Sequence, residues 1–131
     1  MITNRQVDEF LNYVNGPTAK ALAEVGLERA RQHNLWGDQT DVPDGTGPCA
    51  LWYGSNYFPY GDDIARKTAK KAIGYCQWAA KAGVVTWLDI LIEEVSEALA
   101  EDDPQKLRTE LVQVAAVAVQ WIEAIDTRNH Q

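Results

Sequence analysis

The side chains with the most evident chemistry in this 131-residue chain are carboxylates. Glu94 and Glu97 are three apart, and so are Glu110 and Gln113. On a helix each pair shares one face. Between the pairs lies a short acidic turn, Asp102-Asp103, followed by Pro104. If the chain folds back there, reflection about Asp103 sets Glu97 opposite Thr109 and Glu94 opposite Val112. Each then falls one residue from Glu110 and Gln113. Three carboxylates and one amide converge between two helices. Such a cluster is repulsive unless protons or a cation compensate it. Oxygen donors alone suit Mg²⁺, Mn²⁺ or Ca²⁺ rather than zinc. Solvated E-x-x-E pairs are common, but two pairs mirrored across a turn favour a metal site.

The elements that must hold these groups are readable from period and caps. Leu88, Leu91, Ile92, Val95, Ala98 and Leu99 recur at helical spacing, and Thr86 with Asp89 forms a capping-box start. Asp103 as N-cap and Pro104 at the first helical position open the next helix. Its stripe is Leu107, Leu111, Val114, Ala118, Ile122 and Ile125. From Leu111 to Val119 only Gln113 is polar, so this helix is expected to be covered on several sides and Gln113 to be buried. In so short a chain that implies a central place in a bundle or a subunit interface, hence a homodimer or a dimer of dimers. A second pair, Glu123 and Asp126, reflects onto Gly83, before the carboxylate helix begins, and reads as solvated helix-end charge.

The rest of the chain predicts an all-α bundle of about five helices in one domain, 1–131. Residues 1–34 supply two N-terminal helices. The first spans 3–15, with Thr3 and Gln6 as its cap. The second spans Thr18–His33, with Ala21, Leu22, Val25 and Ala30 inward. Residues 35–61 lose all periodicity and are rich in glycine, proline and aromatics, which points to a functional loop or a packed lid. Rings beside amides offer a nucleobase a stacking plane and edge hydrogen bonds. Trp36 and Gln39 are the first candidates, the later tyrosines weaker ones. Residues 62–126 form the helical core and 127–131 a polar tail. Asp62 and Asp63 are expected to cap a helix running to about Ala82, with a small-residue face of Ala69, Ala72, Cys76 and Ala79. That helix carries Arg66, Lys67, Lys70 and Lys71. Lys67, Lys70 and Lys71 are the candidates for phosphate oxygens, against the alternative of a solvated face.

Composition excludes some partners. A net charge of −7 and a pI near 4.7 argue against a nucleic-acid backbone. No apolar run approaches a membrane span. There is no signal-peptide pattern, and Cys49 and Cys76 show neither metal-ligand spacing nor a disulfide framework, so a cytoplasmic protein with reduced thiols is expected. A nucleotide held through metal remains compatible with the acidity.

The run Glu93-Glu94-Val95-Ser96-Glu97, followed by Glu110-Leu111-Val112-Gln113, resembles the MazG-like, all-α nucleoside triphosphate pyrophosphohydrolase superfamily over about the last third of the chain. Trp36-Gly37-Asp38-Gln39 is similar to a W-G-(E/D)-Q element of some members. The resemblance implies Mg²⁺, with Mn²⁺ as a substitute, on Glu94, Glu97, Glu110 and Gln113. It also implies a bound triphosphate, an attacking water oriented by Glu93, and release of a nucleoside monophosphate and pyrophosphate. Glu93, Glu94, Glu97 and Glu110 would be the catalytic set. Gln113 stands where the family has aspartate, so weaker metal binding is expected. Two other functions stay open: a protein that binds nucleotide without turnover, and a structural or interaction bundle.

Overall fold

The structure is a computed structural model and describes residues 2–13, 16–50 and 63–129. Among them are five helices and no strands: α1 (Asn4–Tyr13), α2 (Pro17–Trp36), α3 (Ile64–Lys81), α4 (Trp87–Leu99) and α5 (Pro104–Asn129). The chain is all-α, as its periodicity predicts.

Local chemistry accounts for most helix starts. Thr3 and Gln6 cap α1 reciprocally: the Thr3 N–H donates to Gln6 Oε1 at 2.9 Å, and the Gln6 N–H to Thr3 Oγ1 at 3.2 Å. Thr86 and Asp89 close a full capping box on α4. Asp103 Oδ1 accepts from the Gln105 and Lys106 N–H groups at 2.9 and 3.1 Å. Those backbone bonds, Lys106's first, hold the Asp103 carboxyl below its ordinary range.

Three boundaries differ from expectation, the simplest being that α5 runs on from Asp126 through the expected polar tail to Asn129. Helix α2 does not stop at His33 but continues to Trp36, because Gly37 adopts φ 68 and returns its N–H to the His33 carbonyl. Trp36 is therefore the last helical residue rather than the start of a loop. Asp63 precedes α3 in a left-handed conformation and its side chain caps nothing. Its carboxylate instead accepts from Arg66 at 2.5 Å.

The chain divides into two compact units. One comprises residues 1–42 and 119–131, with α1, α2 and the end of α5. Here only Ala21 of the expected inward residues of α2 is buried; Leu22 and Val25 are exposed, since too few apolar neighbours cover that face. Glu123 also departs from expectation. It is half-buried, and its Oε1 is buried with no hydrogen-bond partner among the described residues.

The other unit, 43–118, carries the carboxylates. Helices α3 and α4 pack on each other through small residues: Ala65, Ala69, Cys76 and Ala79 on α3, and Ser96 and Ala98 on α4, are all buried. Ile64, at the start of α3, is the one large side chain among the buried residues of these two helices. No helix of the described residues is long and apolar enough to cross a membrane.

Candidate metal centre

Glu94 and Glu97 project from α4, and Glu110 from α5. Each offers an oxygen, and the three oxygens lie within 4.8 Å of one another. All three residues are half-buried. The amide end of Gln113 is 3.2 Å from Glu94 Oε2 and 3.2 Å from Glu110 Oε2. With its nitrogen turned inward Gln113 donates to both. With its oxygen inward it faces two carboxylates, an arrangement that needs a shared cation or a carboxyl proton to be favourable. Gln113 is exposed, not buried as its apolar neighbours suggest. It sits at the exposed rim of the cluster.

The electrostatics match this crowding. Burial, then the charges of Glu110, Glu94 and Glu93, push the Glu97 carboxyl up to about 7. Burial, then Glu93 and Glu110, raise Glu94. Glu93 is not one of the three converging carboxylates, although its charge reaches them. Its carboxylate meets the Cys76 thiol of α3, and that contact, followed by burial, pushes the thiol up to about 11. Both cysteines are free thiols.

Beside the cluster opens a cavity of about 380 Å³, lined by Glu97, Glu101, Asp102 and Glu110 and by Pro48, Arg66 and Lys70. Of the three lysines expected at phosphate, only Lys70 lines it; Lys67 and Lys71 are exposed on α3 outside the lining. Arg66 takes the other place. Arg66 and Lys70 are four apart and share a face, whereas Lys67 and Lys71 share the neighbouring one; the spacing makes the pairs without saying which of them meets the cavity. Arg66 is also paired with Asp63 at 2.5 Å.

Trp36 and Gln39 belong to the other unit. Trp36 is exposed at the end of α2. Gln39 lines a separate cavity of about 410 Å³ with Arg29, Gln32, His33, Asp38 and Thr40. Tyr53, Tyr57, Tyr60 and Asp62 lie outside the described residues.

The three carboxylates fit a hard divalent cation by donor type, by mutual distance and by the repulsion that a cation would relieve. Among the described residues this is the one group of acidic or sulfur and nitrogen donors so arranged. Fold and site thus define an all-helical protein with an oxygen-donor cluster beside a cavity lined by both acidic and basic side chains. Comparison with protein-family profiles, characterised proteins and solved structures gives no match for the chain.

Proposed function

We propose that this protein is a MazG-like, metal-dependent nucleoside triphosphate pyrophosphohydrolase. The observation that carries the reading is the convergence of Glu94, Glu97 and Glu110 within 4.8 Å beside a cavity lined in part by Arg66 and Lys70. A metal–polyphosphate needs both: oxygen donors for the cation and cations for the surplus phosphate charge. Glu94, Glu97 and Glu110 would hold Mg²⁺ or Mn²⁺, with Gln113 as a weaker fourth donor. Bound there, the ion would lower the charge on the phosphates and the pKa of water. Arg66 and Lys70 would hold the phosphate chain. Glu93, whose charge is felt by both Glu94 and Glu97, would orient the attacking water. The water oxygen adds to the α-phosphorus, the bond to the bridging oxygen breaks, and pyrophosphate leaves with that electron pair. The water proton passes to solvent through a carboxylate.

A second reading follows from Gln113. An uncharged rim residue already bonded to two carboxylates weakens the metal site, which suits a protein that holds a nucleotide without cleaving it. A panel of nucleoside triphosphates with Mg²⁺ and Mn²⁺, read by pyrophosphate release, separates the two. Turnover of at least one triphosphate is expected. Gln113→Asp is expected to bind Mn²⁺ roughly tenfold tighter and to keep or raise turnover. If neither protein releases pyrophosphate while one triphosphate still binds, sequestration is the function.

The same reading makes the α4–α5 pair an antiparallel hairpin at the centre of a bundle completed by a second copy. Leu111, Val112, Ala115 and Ala116 form an exposed apolar stripe on α5 in the single chain. Burial of that stripe between two copies is expected to give a dimer or a dimer of dimers. A monodisperse monomer in light scattering at high concentration overturns it.

A further inference from the structure

The residues that line the cavity beside the cluster come from different helices, and a short segment is tied both to the end of α4 and to the start of α3. Thr46 Oγ1 donates to the Glu101 carbonyl at 2.5 Å. The Gly47 N–H donates to the carbonyl of Leu99, the last residue of α4, at 3.0 Å. One residue on, the Pro48 carbonyl accepts from the Arg66 N–H in the first turn of α3 at 3.2 Å. Helix ends leave such carbonyls and N–H groups without partners inside the helix. Three consecutive residues therefore satisfy the end of the carboxylate helix and the start of the basic helix together. Gly47 is buried at φ 142, a conformation that side chains rarely adopt, and a Cβ there would lie 3.5 Å from the Asp102 Cβ. Pro48 itself lines the cavity.

We infer that Thr46, Gly47 and Pro48 form a strap that positions Arg66 and Lys70 against the carboxylates, and that Thr46 is its positioning residue. The inference rests on the proposed polyphosphate site. Its consequence is selective. Glu94, Glu97 and Glu110 lie on α4 and α5 and meet without the strap, so a metal ion alone does not sense it. A polyphosphate spanning from the cation to Arg66 and Lys70 does, because the strap ties α3 to the end of α4.

Full-length protein is titrated with Mn²⁺ alone, and with inorganic tripolyphosphate at saturating Mn²⁺. Thr46→Val is expected to keep Mn²⁺ affinity within about twofold while tripolyphosphate binds about tenfold more weakly. Thr46→Ser, which restores the hydroxyl, is expected to recover wild-type affinity. Where the valine variant does not melt cooperatively, Thr46→Ala removes the same bond without adding a methyl against the carbonyl. Equal tripolyphosphate affinity in wild type and the hydroxyl-free variant overturns the strap and leaves the site standing. Equal losses for Mn²⁺ and tripolyphosphate also overturn it, since they mark a general structural role. Failure of the wild type to bind tripolyphosphate with Mn²⁺ overturns the site, and the strap with it.

Discussion

Glu97→Gln is expected to weaken Mn²⁺ binding on the order of 100-fold, about 2.8 kcal/mol at 1.4 kcal/mol per factor of ten, and to abolish pyrophosphate release. Glu97 shares the three-carboxylate cluster with Glu94 and Glu110 and also lines the cavity beside it. Glutamine keeps its shape and one oxygen donor but removes the charge. The variant should fold, because what it removes in the metal-free protein is unfavourable: a carboxylate raised by burial and by the charges of Glu110, Glu94 and Glu93. Its metal-free melting temperature above pH 7 is therefore expected to exceed that of the wild type. Loss of binding with gain of stability distinguishes a site from a structural residue, since disruption of packing lowers both. Isothermal titration with Mn²⁺ and thermal melts in chelator measure the two quantities. Unchanged Mn²⁺ affinity would remove the cluster from consideration as a metal centre.

The same carboxyl sets a pH dependence. In the folded chain Glu97 titrates at about 7, above its ordinary value of 4.5. A raised folded pKa means that the native state holds the proton more firmly than the unfolded chain. The associated stability is complete below about 4.5 and is lost as pH rises through about 7. Glu94, raised in the same direction, adds to the trend. The shift is discounted for solvent reaching a half-buried group, leaving roughly 1–2 kcal/mol. In chelator, the wild type is thus expected to melt several degrees lower at pH 8 than at pH 5.5, and Glu97→Gln to show a clearly smaller fall. Saturating Mn²⁺ should act in the opposite sense. The ion requires ionised carboxylates, so the rise in melting temperature it confers should be larger at pH 8 than at pH 5.5. A metal-induced rise that is the same at both values, or an equal fall in the two metal-free proteins, contradicts this account.

What the residues of one or two helical turns can decide was decided by the sequence itself. Thr86 with Asp89, Asp103 with Pro104, and Thr3 with Gln6 specify helix starts, because a cap needs only a side chain and an N–H two or three residues away. The proximity of Glu94 to Gln113 and of Glu97 to Glu110 is legible for a similar reason: helical period and a short turn determine which side chains can meet. Tertiary structure decided the rest. Arg66 rather than Lys67 or Lys71 lines the cavity with Lys70, because the packing of α3 on α4 turns one of two neighbouring faces toward it. Gln113 lies at an exposed rim although its neighbours are apolar, and Glu123 has one carboxylate oxygen buried although its spacing suggests a helix-end charge. Burial depends on which segments arrive from far along the chain, and no periodicity encodes that. The bond from Thr46 to Glu101 spans 55 residues. Nothing near Thr46 in the chain distinguishes it from any other loop threonine. Its role exists only once the ends of α3 and α4 have been brought to it.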